Sequence, residues 1–393
     1  MLNNFSITDQ ECTGCGACVN ACSHNAIRFV LTDGFYRPHI DMGLCVDCGL
    51  CKKVCPQNNL KEKTGTAEIY AGFAIEDTMR SSGSSGGIFG VIAEHFCKTK
   101  SAVIASVAFD EHLDAVFCTA DRVEDLAKFK KSKYVQANPN TIYKDVLSFL
   151  KEGETVLFAG MPCQVAAVKS LCKKCDANLF CIDYICHGVP SPAIWKKIVA
   201  ETETKAGRKV VHVDFRYKDG EKWDWNNFAV RTIFEDGNTQ DADANTVSYF
   251  RAFLRNYLLQ KACFSCCYRA GNSYADITLG DFWEIEKTIP SFSEKADADK
   301  GISAICVNTD KGKKLLQEIK GAIDLQLASA DQLVAGNPCY VGSVDQPKGQ
   351  EKYLKCLLSS KHINISKDID RMLTYVAFKE RMMYRMKQIV SRK

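Results

Sequence analysis

After about residue 67, short apolar runs alternate with stretches of helical period. Residues 67–75, 102–109, 155–159 and 179–185 are apolar or β-rich runs, and the last two, bounded by turn signals, read as buried strands of a parallel or mixed sheet. Residues 88–97, 141–150 and 164–171 carry the 3.6-residue period of helices. Strand–helix–strand alternation predicts an α/β core with a mixed sheet. From 210 to 239 the pattern is that of an antiparallel β region, with Asp-Gly pairs at 219–220 and 236–237 as turns. Within it Trp223 and Trp225 alternate with Asp224 and Asn226, which places both rings on one side of a strand. Further on, 248–260 reads as helix, 302–308 as strand and 311–323 as helix. The amphipathic stretch 369–392, rich in Met and basic residues, reads as a packing or partner-docking helix rather than a membrane helix. Residues 57–66 are polar without period and read as a linker.

Composition narrows the class. Hydrophobic residues are 46% and charged residues 25% of the 393, a globular balance that excludes a mainly disordered, collagen-like or coiled-coil chain. The net charge of +4, from 51 basic and 47 acidic residues, gives no reason to expect nucleic-acid binding. No apolar stretch reaches the roughly 18 residues of a membrane span. The start, Met1-Leu2-Asn3-Asn4-Phe5-Ser6, lacks the basic and apolar runs of a secretory leader, so a cytoplasmic protein is expected. There are 21 cysteines, an odd number, so a fully paired internal disulfide framework is impossible. Thiolates serving as metal ligands in a reducing compartment are the better reading.

Eight of those cysteines lie in the first 55 residues. Residues 12–22 read CTGCGACVNAC and residues 45–56 read CVDCGLCKKVCP. Both runs are C-x2-C-x2-C-x3-C. A cubane 4Fe–4S cluster needs four thiolates at the corners of a tetrahedron; three come from one short loop and the fourth from elsewhere. In two-cluster ferredoxins the last cysteine of each run ligates the other cluster. Cys12, Cys15, Cys18 and Cys55 are therefore assigned to one cluster, and Cys45, Cys48, Cys51 and Cys22 to the second. Two zinc sites or a redox disulfide set are the alternatives, but zinc more often uses two separated C-x2-C pairs. Gly14, Gly16 and Gly49 keep the loops small. Ser23 stands where proline often closes the motif, which affects a turn and not ligation.

Residues 81–89 read SSGSSGGIF ahead of a helix, a place where small residues and free amides accommodate phosphate; an unliganded Ser/Gly turn is the alternative. Further segments follow: KKSKYVQ at 130–136, GMPCQ at 160–164, CHGVPSP at 186–192, FRYKDGEKWDWNNF at 215–228, CFSCC at 263–267 and DITLGDFW at 276–283. In this order and spacing they resemble the coenzyme F-420 (8-hydroxy-5-deazaflavin) hydrogenase/dehydrogenase beta subunit family, over about residues 68–325. The resemblance implies an α/β (α+β) flavoprotein domain with a mixed sheet, preceded by a small bacterial-type two-cluster ferredoxin-like domain. Ser84, Ser85, Gly86 and Gly87 would cradle FAD phosphates. Lys131, Ser132, Lys133 and Tyr134 would form a second flavin contact, with Lys133 as charge partner of the pyrophosphate.

The family also implies a third 4Fe–4S cluster. Cys163 and Cys186 follow successive predicted strands; if those strands are parallel neighbours, both thiols sit on one carboxyl edge, where α/β proteins bind ligands. Cys263 and Cys266 form a chelating pair, and the four could close one cubane. A zinc site, a catalytic thiol at Cys163 and core packing stay open as alternatives. Cys267 is a substitute ligand. Cys172 and Cys175 read as incidental, and Cys97, Cys118, Cys181, Cys306, Cys339 and Cys356 as buried small hydrophobes. His187 either relays a proton to the flavin or hydrogen-bonds the backbone. Asp281, Phe282 and Trp283 are expected beside the site.

The expected organisation is a ferredoxin domain at 1–60, two parts of one flavin-binding domain at 68–150 and 151–325, and a helical extension at 326–393. The expected activity is that of an iron–sulfur flavoprotein oxidoreductase, with FAD joining two-electron and one-electron chemistry. The redox partner would be a protein or a reduced carrier, ferredoxin or deazaflavin. The chain would form a homo-oligomer or serve as a complex subunit. The alternatives are a metabolite reductase, an electron-relay subunit without a substrate of its own, and a redox-sensing protein without turnover.

Overall fold

The computed structural model describes residues 11–59, 67–269 and 272–390. The expected linker 57–66 lies outside the described residues from residue 60 onward, as do the last residues of the stretch 369–392.

The strands are β1 (Ile27–Thr32), β2 (Phe35–Ile40), β3 (Glu68–Ala74), β4 (Val103–Phe109), β5 (Ala115–Ala120), β6 (Val156–Ala159), β7 (Leu179–Tyr184), β8 (Val210–Tyr217), β9 (Ala229–Phe234), β10 (Thr239–Asp243), β11 (Ile277–Asp281), β12 (Ser303–Val307) and β13 (Ile323–Ala328). Eight of them form one sheet in the order β13-β3-β12-β11-β7-β6-β4-β5. The inner strands β4, β6, β7 and β11 are mutually parallel, and the flanking pairs are antiparallel. The sheet is therefore mixed, as the strand–helix alternation implied.

Each residue of β6 is buried, which fits a central strand covered on both faces. Its alternation divides the core: Val156 and Phe158 join one apolar cluster, Leu157 and Ala159 the other. The helices Ile88–Lys100 and Asp310–Glu318 pack on the second face. The helices Ile142–Lys151, Pro162–Leu171 and Pro192–Ala206 contribute to the first. Strands from 68–150 and from 151–325 interleave in one sheet, and β13 runs across the 325/326 boundary.

β8, β9 and β10 form the expected antiparallel meander, with the 236–237 turn between β9 and β10. Three expectations are corrected. The helix expected over 311–323 is Asp310–Glu318, and Ile323 opens β13. The helix expected over 248–260 is Ser248–Leu254, because Leu259 bridges to Pro190 instead. Trp223 and Trp225 lie in a loop, where the Asp219 carboxylate accepts from the amides of residues 221–223 and Asp224 from those of 226–227. Such Asx turns compete with strand pairing.

The N-terminal module carries the β1–β2 hairpin and two five-residue helices, Ala17–Ala21 and Leu50–Val54. It is stitched to the sheet domain along its length. Tyr143 Oη donates to Cys15 O at 2.7 Å, Gln136 Oε1 accepts from Tyr36 N at 2.8 Å, and Ser191 Oγ donates to Gly34 O at 2.7 Å. Ser170 Oγ donates to Val54 O at 2.8 Å. Gly16, at φ 85°, sits so close to Pro139 that a Cβ there would come within 2.4 Å of its ring. No helix among the described residues is long and apolar enough to cross a membrane.

Candidate functional site

A cavity of about 510 Å³ lies at the carboxyl ends of β6, β7 and β11, the edge at which open α/β sheets bind ligands. Its volume suits a cofactor.

One wall joins two loops that are distant in sequence. The Ser/Gly turn leads through Gly87, at φ 82°, into the helix Ile88–Lys100, whose first residues line the cavity. Opposite stands the segment 130–137. Ser132 N donates to Ser84 Oγ at 2.8 Å, and Lys130 Nζ to Ser82 Oγ at 2.9 Å. Ser84, Ser85, Gly87, Lys131, Ser132, Lys133 and Tyr134 all face the cavity. Gly86 does not. It packs on the sheet, where a Cβ would meet Gly72 O at 2.6 Å, and its N–H is spent on Ser303 Oγ at 2.9 Å. Lys133 is also differently employed: its Nζ donates to the carbonyls of Lys128 and Lys130 at 2.8 and 2.9 Å and so caps its own turn. Burial pulls its ammonium down to about 7.

The positive charge behind this wall comes from other residues. Lys131 pairs with Asp214. Lys218 Nζ donates to Ser85 O at 3.2 Å, and burial, followed by the charge of Arg216, pulls it down to about 7. Arg216 is 2% exposed and lines the cavity. It bonds Asp281 Oδ2 and Ser84 O, both at 3.1 Å, and its guanidinium carbon lies 4.1 Å from the Phe228 ring centre and 5.1 Å from that of Trp283. Its Nε is buried without a partner. Burial opposes its charge, but Asp281 and Tyr134 outweigh burial and keep it protonated. Trp225 stacks on Trp283 at 4.5 Å and donates from Nε1 to Asp281 Oδ1 at 2.8 Å. Asp281 and Trp283 thus abut the site, as expected, and buried Trp225 supports them from behind.

The opposite side gathers thiols. β6 turns at Gly160 into the helix Pro162–Leu171, where Pro162 occupies a first-turn position that needs no N–H, and Gln164 Oε1 accepts from Met161 N at 2.8 Å. Cys163 is thereby set on the sheet edge. β6 and β7 are parallel neighbours, so Cys186, after β7, emerges on the same edge. Both thiols line the cavity. Cys263, in the turn Lys261–Ser265, accepts from Val189 N at 3.3 Å, and Cys266 follows directly. The four are close enough to interact. Burial first, then Cys15 and the other three thiols, pushes the Cys163 thiol well up. Burial pushes Cys186 to about 12 and Cys263 to about 11. Cys267 donates to Gln57 Oε1 at 3.2 Å.

Arg269 is the buried cation of this set. It donates to the carbonyls of Cys186 and Cys339, and its charge acts on Cys186, Cys263 and Cys266. Its Nε and the neighbouring Tyr268 Oη are buried without partners, as are Thr13 Oγ1 and Gln260 Oε1 at the seam with the N-terminal module. The three of these that can donate, Arg269 Nε, Tyr268 Oη and Thr13 Oγ1, fit a neighbouring group with sulfur acceptors and a net negative charge. His187 lines the cavity, with Nε2 2.7 Å from Asn256 Oδ1 and Nδ1 3.8 Å from Cys339 Sγ; burial lowers its basicity. Cys339 also lines the cavity, whereas Cys356 is exposed and Cys97 and Cys118 are only half-buried. Cys181 and Cys306 are buried as expected.

In the N-terminal module, Cys12, Cys15, Cys18 and Cys55 line one small cavity, and Cys22, Cys45, Cys48 and Cys51 another. This is the crossed grouping expected from the spacing. Among the described residues no three His, Cys, Asp or Glu side chains close around a single ion. A cubane of four irons spreads its thiolates wider than one ion does, so these donor sets fit clusters. Cys15 belongs to the inner cavity and also lines the large one.

Arg216, Lys218, Arg269 and Gln260 were not expected from the sequence. Arg216 lies inside the segment 215–228, but no periodicity marks its burial against Asp281, 65 residues away.

Residues 153–332 match the family model for the C-terminal part of the Coenzyme F420 hydrogenase/dehydrogenase beta subunit, and residues 11–59 match the 4Fe-4S dicluster domain. Among curated proteins, the Coenzyme F420-dependent sulfite reductase of Methanocaldococcus jannaschii is 29% identical over 176 residues, 43% of this chain. The chain spans 26% of that relative's length. Among solved structures, a chain of the F420-reducing (NiFe) hydrogenase complex of Methanosarcina barkeri, in a xenon derivative, superposes with a TM-score of 0.47 at 14% identity, covering 75% of this chain and 93% of that one. The chain thus joins a 4Fe-4S dicluster domain, at residues 11–59, to a domain that matches the C-terminal part of the Coenzyme F420 hydrogenase/dehydrogenase beta subunit, at residues 153–332.

Proposed function

We propose that this protein is an FAD-dependent iron–sulfur oxidoreductase that exchanges two electrons with a carrier or substrate in the large cavity and single electrons through its clusters. The supporting observation is the convergence, around one cavity, of the Ser84–Ser132 loop pair, the Arg216 cation and the Cys163–Cys186 thiols.

Ser84, Ser85 and the amides at the start of the helix Ile88–Lys100 would hold the phosphates, with Lys131, Arg216 and Lys218 supplying positive charge. Cys163, Cys186, Cys263 and Cys266 would hold a third 4Fe–4S cluster, with Arg269 offsetting its negative charge. Bound there, FAD supplies the exchange between hydride transfer and one-electron steps. The protein's own part is positional. Arg216 orders the phosphate loop through Ser84 O and anchors Asp281 beneath the Trp225–Trp283 stack. Tyr143, donating to Cys15 O, fixes the inner ferredoxin site against the sheet domain.

Reduced deazaflavin is the first two-electron donor to test, because the matched family and the curated relative carry coenzyme F420 in their names. The experiment is anaerobic purification with flavin identification, then a donor screen of reduced deazaflavin, NADH, NADPH and reduced ferredoxin. Rapid flavin reduction by one of the first three supports the reading. Cluster-loaded protein that neither contains nor binds FAD refutes it.

A further inference from the structure

The two ferredoxin sites are placed unequally. The inner one shares Cys15 with the wall of the large cavity. None of Cys22, Cys45, Cys48 and Cys51 reaches that cavity, and Cys48 is exposed. The loop that carries the outer thiols Cys45 and Cys48, up to the first residue of the helix Leu50–Val54, also shows apolar side chains to solvent: Met42 is 67% exposed, Leu44 52%, Val46 59% and Leu50 36%. Val46 and Leu50 line the mouth of the outer site. Isolated exposed apolar residues need no explanation, but four within nine positions around a redox site form a patch. Its rim carries both charge signs, with Asp41 and Asp47 in the loop and Lys52 and Lys53 on the helix Leu50–Val54.

We propose that this loop, residues 41–50, is the docking surface for a small ferredoxin-type carrier, and that single electrons enter or leave the protein there. The proposal rests on the cluster assignment given above. Two features select this occupant. First, a cluster at the end of a chain of centres has one use, the exchange of single electrons, and exposed Cys48 puts its edge where a partner's cofactor can approach. Second, four side chains cover only a few hundred Å², well below the roughly 800 Å² per partner of a stable complex and in the range of transient redox encounters. A permanent subunit or a second copy of the chain would need a larger face.

The test uses the full chain, anaerobically reconstituted, and a small acidic two-cluster ferredoxin as probe. The variants are Leu44→Glu and, three positions from the nearest cysteine, Met42→Glu. Iron content and low-temperature EPR report the clusters. Stopped-flow reduction by reduced ferredoxin, and hydrogen-exchange protection of residues 41–50 by oxidised ferredoxin, report docking. The expected result is ferredoxin protection of the loop in wild type, at least a tenfold slower reaction with ferredoxin in both variants, and unchanged iron content and dithionite reduction. An unchanged ferredoxin rate in both variants overturns the proposal. So does a wild-type chain that fails to react with ferredoxin, or a stable dimer that already protects the loop. A wild-type chain with one ferredoxin-type EPR signal instead of two refutes the cluster assignment itself, and the proposal with it.

Discussion

Arg216→Met removes a charge while keeping most of the side chain's length. In the folded protein the guanidinium is buried and paired with Asp281 at 3.1 Å. It also donates to Ser84 O at 3.1 Å and lies over the Phe228 ring at 4.1 Å. Its loss leaves the Asp281 carboxylate with Trp225 Nε1 as its remaining close donor, at 2.8 Å. Removing one member of a buried ion pair typically costs about 3–5 kcal/mol, because the other charge stays behind uncompensated. Replacing both by neutral groups is often close to neutral. Arg216→Met should therefore cost about 3–5 kcal/mol, and adding Asp281→Asn should recover most of it. FAD affinity should behave differently: both variants lack the cation beside the Ser/Gly turn proposed to hold the phosphates, so neither should recover it. Urea denaturation of the FAD-free protein gives the first quantity and flavin fluorescence titration the second. A single variant within about 1 kcal/mol of wild type would refute the argument, since that is below the range for a broken buried pair. A double variant that regains full FAD affinity would refute it as well.

If FAD binds as proposed, Lys218 should make its affinity pH-dependent. Its ammonium lies at about 7 in the free protein, and a neighbouring phosphate favours the protonated form, so binding takes up a proton. Affinity should fall as pH rises above about 7, by at most tenfold per unit for one proton, and Lys218→Met should flatten the profile when titrated between pH 6 and 9. Cys55→Ser should damage the cluster otherwise held by Cys12, Cys15 and Cys18; EPR loss confined to the cluster of Cys45, Cys48 and Cys51 would contradict the crossed assignment. Gly16→Val should loosen the N-terminal module, because its Cβ meets Pro139 at 2.4 Å and its φ is 85°, and faster proteolysis between the module and the sheet domain would show it.

The sequence was most legible where chemistry or burial imposes a strict pattern. The two cysteine runs carry their ligand spacing openly, and the interior strands β6 and β7 read as continuous apolar runs because both faces are covered. β5 and β13, which were not anticipated, are the two edges of the sheet and only partly buried, so their apolar signal is diluted. Loops were less legible still. The Ser/Gly turn was recognised, but nothing in its composition says that Ser84 faces the cavity while Gly86 packs on Gly72 and Ser303. The lysines of 130–133 announce charge, yet Lys133 spends it on its own turn while Lys218, 85 positions on, reaches the Ser/Gly turn at Ser85 O. Alternating Trp223 and Trp225 imitated a strand because two aspartates close Asx turns there.

The central claim is that one cavity in the sheet domain serves both a flavin and a third cluster. Metal and flavin analysis of the anaerobically reconstituted full chain, beside the Cys263→Ser/Cys266→Ser variant, tests it most directly. Three cubanes with four irons each predict about twelve irons and one FAD in the wild type and about eight irons in the variant. A wild type with eight irons and no bound FAD, or a variant that keeps every iron of the wild type, would contradict it.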